Sequence, residues 1–297
     1  MRIPVSQVVE SPQAITTEAR AFVESLATSP NPELGQIGRW HQPVCAQVEG
    51  LAQAAQSNQV KARIESVAQA LGLPAARPGC KANVEIVFSD NPQRTMDDVA
   101  KRREDLLGYY HRHDRDHLKT VSQPIQAWYK TATLGQYADA SAQFPGFDQD
   151  AGPGSPDAPA GAVRTDDPEV GLPNGCGDSP RFTACLVSQF SNVLIVVDSR
   201  ALQGRTLGQV SEYVVMLALS QPRSLDNCMA LPSILDLMVK TGCPGRDRPD
   251  GLTPADAAWL TALYASDPQA KIAGAQSDIA SHMADILIKA RPVARGS

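Results

Sequence analysis

An α+β fold, with a mixed or antiparallel sheet packed against several helices, is what three features of this 297-residue sequence predict. Val84, Ile86 and Phe88 alternate as in a strand with one buried face. Val60, Ile64, Val67 and Leu71 recur at spacings of four, three and four, the period of one helix face. Between Asn192 and Gln221 an apolar strand, residues 193–197, leads to a helix from about Leu207 to Ser220. The centre of that helix, Tyr213 to Leu219, is apolar on every side, which requires other elements to cover it.

Taken in order, the first helix is expected from Thr17 to Ala27, with Phe22, Val23 and Leu26 as its apolar stripe and Thr16 or Thr17 as cap. Residues 37–51 read as a strand or irregular lead into the helix around Val60, which Gly72 and Pro74 stop. After the strand Ala82 to Phe88, Thr95 and Asp98 look like the capping pair of a further helix. Ile125 to Thr133 follows as a strand, with Pro124 suited to its start. Residues 136–180 are rich in Gly, Pro, Asp and Ala and read as a long loop or linker dividing 1–135 from 181–297. Arg181 to Gln189 and Val193 to Val197 then suggest a hairpin turning at Phe190-Ser191-Asn192. Thr206 and Gln209 form a capping box for the apolar helix, and a shorter helix follows Pro232. Thr253-Pro254-Ala255-Asp256 opens another, with Ala257, Leu260, Leu263 and Tyr264 as its inner face. The last helix spans about Gln269 to Lys289, with Ile272, Ala275, Ile279, Met283 and Ile286 turned inward.

A net charge of -5 gives no reason to expect nucleic acid. The one basic run, Lys101-Arg102-Arg103, sits among Asp97, Asp98, Glu104 and Asp105 and reads as a solvated helix face. No apolar run is long enough to span a membrane. Six cysteines, Cys45, Cys80, Cys176, Cys185, Cys228 and Cys243, lack the spacing of a zinc finger. They are read as three disulfides paired in sequence order, one of fifteen connectivities, against the alternative of six buried thiols. Disulfides imply an oxidising compartment, the periplasm or the cell exterior, reached through a signal peptide since removed.

Candidates for chemistry are few. His111, His113 and His117 lie with Asp114 and Asp116 in a run of alternating charge; on a helix, His113 and His117 would stand one turn apart, able to share zinc. The same run also reads as a solvated loop. Glu212 falls where the general base of an H-E-x-x-H zinc hydrolase would stand, but Ser211 and Val215 occupy the ligand positions. His282 is expected to border the core of the last helix. Asp198-Ser199 follows a buried strand, where loops often carry function, without a G-x-S-x-G elbow. Cys45 with His41 would make a thiol and base pair only if Cys45 were reduced.

Three phrases carry a resemblance: Arg39-Trp40-His41-Gln42-Pro43-Val44-Cys45, Gly79-Cys80-Lys81-Ala82-Asn83-Val84, and Gly251-Leu252-Thr253-Pro254-Ala255-Asp256 before Leu263-Tyr264. They resemble a family of secreted bacterial proteins without assigned activity, and the last is similar to the end of a domain related to zincin-like peptidases. The resemblance implies a zincin-like scaffold lacking H-E-x-x-H, a pseudoenzyme. The expected function is a periplasmic or secreted binding or accessory module without a cofactor, engaging an unidentified protein or envelope partner through the histidine-bearing segment or the long loop. The alternative is a metal-dependent, peptidase-like hydrolase.

Overall fold

The computed structural model describes residues 11–30, 34–108, 115–135 and 186–290. Its elements run α1 (Pro12–Leu26), β1 (Ala46–Glu49), α2 (Ala54–Ala70), β2 (Val84–Ser89), α3 (Pro92–Arg102), a single turn α4 (Arg115–Leu118), β3 (Ile125–Gly135), β4 (Leu186–Asp198), α5 (Leu207–Leu219), α6 (Pro254–Ala265) and α7 (Ile272–Lys289). This is an α+β fold with a mixed four-stranded sheet of order β1-β2-β4-β3. The first three strands in that order are mutually parallel, and β3 closes the edge antiparallel to β4.

The sheet is covered on both faces, and β4 shows it in its sequence. Val193, Ile195 and Val197 enter a large core with α1, α2, α5, α6 and α7, while Leu194 and Val196 face a small cluster with Met96, Leu106, Leu107 and Trp128. A strand buried on two faces reads as a continuous apolar run, as this one does. β2 alternates instead: Val84, Ile86 and Phe88 join the large core, and Val87 packs at the small one.

Several expected details are corrected. The hairpin at Phe190-Ser191-Asn192 does not form, because β4 is one strand through that point. Lys130 pairs with Asn192 and Thr131 with Phe190, so Ser191 is the extra residue of a β-bulge, its Oγ donating to the Lys130 carbonyl at 3.1 Å. Helix α1 begins earlier than Thr17, capped by Ser11 with Pro12 at its first position, and Thr16 and Thr17 bond back to its own carbonyls. Helix α3 is capped by Asn91, not Thr95. On α6 the inner face contains Ala258 and Trp259, while Ala257 is exposed. The short helix after Pro232 is a 3-10 helix, Ile234–Met238. Both capping boxes, Thr206 with Gln209 and Thr253 with Asp256, are present.

Helix α5 is buried along nearly its whole length, so its last carbonyls cannot turn to water. Every one of them has a partner. Ser220 bonds back to the Met216 carbonyl through its N–H at 3.0 Å and its Oγ at 2.9 Å. The Tyr129 hydroxyl from β3 is shared between the carbonyls of Leu217, at 2.9 Å, and Ser220, at 3.0 Å. The Trp40 indole N–H donates to Ala218 at 2.7 Å, and the Tyr264 hydroxyl from α6 donates to Leu219 at 2.8 Å. Burial raises the pKa of both phenols, so both keep the proton they donate. Phe190 packs against Trp40 and Tyr129, with ring centroids 5.7 and 5.4 Å away, holding two of the donors in place.

Leaving one buried carbonyl unpaired costs about 1–3 kcal/mol. Tyr264→Phe keeps the ring and removes the hydroxyl, and Trp40→Phe removes the indole N–H and also leaves a cavity, so the first is expected to lower unfolding free energy by about that amount in urea titration and the second by at least as much. A loss below about 0.5 kcal/mol for both would contradict the pairing described.

Candidate functional site

The chain leaves the adjacent parallel strands β2 and β4 toward opposite faces of the sheet. After Ser89 it enters α3, whose Met96 belongs to the small cluster; after Asp198 it passes through a 3-10 turn, Ser199–Leu202, into α5 in the large core. Ser89 and Asp198 are register partners. In parallel sheets the region outside the carboxyl ends of two strands that diverge in this way is the usual place for a ligand. The residues there are Ser89, Asp90, Asn91, Asp198, Ser199 and Arg200. On the far side of β2, Gly50 keeps the end of β1 close: with φ at +84°, a Cβ there would lie 1.9 Å from the Phe88 carbonyl oxygen.

Local chemistry shapes this rim. Asn91 caps α3 by accepting from the Arg94 N–H at 3.2 Å. The Ser89 Oγ accepts from the Asn91 N–H at 3.1 Å and shares a hydrogen with the Thr95 hydroxyl at 2.8 Å. Asp198 receives both Nε and Nη2 of Arg200 at 3.1 Å and the Arg200 N–H at 3.0 Å. The side-chain bond from Arg200 holds the Asp198 carboxyl below the usual carboxylate range, making it a poor base. Arg200 is largely exposed, and Asp90 adds to the negative potential around it. The rim thus offers hydrogen-bonding groups with nearly balanced charge.

Glu212 lies elsewhere and is fully occupied. Arg63 of α2 grips it bidentately, Nε to Oε1 at 2.7 Å and Nη2 to Oε2 at 3.0 Å, joining α2 to α5. His117 is exposed at the end of α4; His111, His113 and Asp114 lie outside the described residues, as does the side chain of Asp116. His282 is exposed on α7 and does not border the core. Cys45 is bonded to Cys80 and Cys228 to Cys243, with Cα atoms 6.2 and 5.7 Å apart. Cys45 therefore has no thiol to pair with His41, and the Cys176 and Cys185 pairing lies outside the described residues.

Two acids prove central, Asp256, which the sequence shows only as part of a helix start, and Asp236, which no sequence signal singled out. Asp256 is fully buried and accepts from the Ser233 hydroxyl at 2.5 Å, the Ile234 N–H at 2.7 Å and the Thr253 N–H at 2.9 Å, so one carboxyl caps both α6 and the preceding 3-10 helix. Desolvation raises its pKa while these bonds oppose the rise. Asp236 accepts from the Met229 and Ser233 N–H groups and meets Arg246 at 3.4 Å. Its carboxyl comes within 4.8 Å of the Cys228 and Cys243 sulfurs, but those sulfurs are bonded to each other, and the cluster is a structural knot. Open grooves of about 230 Å³ beside Cys45 and Lys61 and about 210 Å³ beside Cys243 and Arg246 are lined by none of the residues at the β2 and β4 carboxyl ends.

Compared with protein-family models, curated proteins and solved structures, the chain matches none of them. The phrases that carry the resemblance have identifiable structural work. Arg39 lies against the end of α6, with Nη1 donating to the Leu263 carbonyl and, at 3.0 Å, to the Ser266 carbonyl and Oγ. Asn83 accepts from the Cys45 N–H at 2.8 Å and donates to the Pro43 carbonyl at 2.9 Å, bracing the Cys45–Cys80 link.

The Arg63 and Glu212 pair is part-exposed, which limits its worth. A double-mutant cycle with Arg63→Met and Glu212→Gln is expected to give a coupling of about 1 kcal/mol. A coupling near zero would mean that the helices are joined by apolar packing alone.

Proposed function

We propose that this protein is an extracytoplasmic binding or accessory module, secreted or periplasmic, that acts without catalysis of its own. The observation that carries the binding part is the divergence of the chain from β2 and β4, with Ser89, Asn91, Asp198, Ser199 and Arg200 at or just beyond the carboxyl ends of these adjacent strands. The acids nearest to a catalytic role support the non-catalytic part: Glu212 is neutralised by Arg63, and Asp198 by Arg200. The two disulfides among the described residues support an oxidising compartment.

The test uses immobilised protein and envelope extract, comparing wild type with an Asp198→Ala/Arg200→Ala variant whose urea midpoint is unchanged. The reading expects a partner retained by wild type and lost, by about tenfold or more, with the variant. Equal retention by both, or nothing retained above background, contradicts it. Compartment is read separately by alkylating the protein, unreduced and denatured, as recovered from its native cells. No modification of Cys45, Cys80, Cys228 or Cys243 is expected; free thiols at these positions would place the chain in a reducing compartment.

A further inference from the structure

Residues 38–44 cross the ends of two helices and run beside β4. Arg39 holds the end of α6, Trp40 holds the end of α5, and Gln42 donates to the Phe190 carbonyl of β4 at 3.4 Å, while the Phe190 N–H returns a bond to the Arg39 carbonyl at 3.0 Å. His41 sits in the middle of this strap, and its buried Nε2 has no hydrogen-bond partner among the described residues. The neutral ring can leave that nitrogen without a proton. The imidazolium cannot: it carries N–H on both nitrogens, one of them facing no acceptor.

Arg39, only 2% exposed, is the charge that acts on the ring. From α6 and the turn after it, Tyr264 and Asp267 act on Arg39; α5 contributes the Ala218 carbonyl, β3 the neutral Tyr129 phenol, and β4 the Phe190 ring and backbone. Asp267 is the one carboxylate in that set, and its influence falls on Arg39. We propose that residues 38–44 form an acid-released clasp, in which protonation of His41 adds a second cation beside Arg39 and lets the strap leave the ends of α5 and α6.

The sign of the effect follows from linkage. Burial, reinforced by Arg39, lowers the folded-state pKa of His41 from 6.5 to about 4. Between these values the opened strap binds a proton that the closed one excludes, so the clasp is fully stable above pH 6.5 and weakens as pH falls toward 4. Opening should become up to about tenfold more favourable per pH unit within that window.

Hydrogen exchange read by mass spectrometry from about pH 7 to about pH 4.5, corrected for intrinsic exchange rates, tests this. Amides of residues 38–45, 217–221 and 263–267 are expected to lose protection in that window while residues 84–88 and 193–197 keep theirs. His41→Phe, which cannot titrate, is expected to remove the pH dependence. Protection that stays constant in wild type, or that falls equally in His41→Phe, overturns the proposal. Should His41→Phe not fold, the wild-type ring titration by NMR decides instead: a midpoint well below the ordinary histidine value is expected, and one near about 6.5 overturns it.

Discussion

The last turn of α5 ends inside the protein, and its carbonyls would each cost about 1–3 kcal/mol if left without a donor. No residue of α5 beyond Ser220 meets that demand. The donors come from the segment before β1, from β3 and from α6, as Trp40, Tyr129 and Tyr264. A helix apolar on all sides specifies little about which neighbours cover it, because apolar contact has no direction. The three donors supply the direction: each must aim its N–H or O–H at carbonyls of this helix end, and this fixes three parts of the chain around it.

That arrangement gives the sheet two unlike ends. Helix α5 starts beyond the carboxyl end of β4 and ends near Phe190, toward the strand's amino end. Arg39 and Trp40 close the latter region with buried hydrogen bonds, and Gln42 and Tyr129 with part-buried ones. Toward the carboxyl ends the polar side chains, among them the exposed Arg200, are grouped around two diverging connections. Closure by hydrogen bonds at one end and accessible polar groups at the other suit the binding module proposed above. Disulfides tie two further places: Cys80 anchors the loop before β2 to the residue preceding β1, and Cys228–Cys243 braces the irregular stretch that Asp236, Asp256 and Arg246 hold from within.

What could be read from sequence followed the range of each interaction. Thr206 with Gln209 and Thr253 with Asp256 are three residues apart, so their capping boxes were visible as patterns. The apolar runs of β2, β4 and α5 were visible because burial leaves a local imprint. Starts of α1 and α3 were misplaced where several Ser, Thr or Asn residues compete to cap; Pro12 and Pro92, each at a first helical position, were the stronger signal. Ser191 misled because a polar interruption reads the same for a turn and for a bulge. Glu212 was legible only as an acid early in a helix, since Arg63 is 149 residues away. The candidate site likewise depends on strand order, which no local pattern encodes, although Asp198-Ser199 stood out as a loop following a buried strand.

The central claim is that the end of α5 is locked by its three donors, and native-state hydrogen exchange of the amides of Val214 to Leu219 tests it most directly. If the lock holds, these amides exchange above about pH 7, where the His41 ring is neutral, only through global unfolding, with an opening free energy equal to that from denaturant, and Tyr129→Phe lowers both together. Exchange of residues 217–219 by a local opening well below the global value, unchanged by Tyr129→Phe, would contradict it.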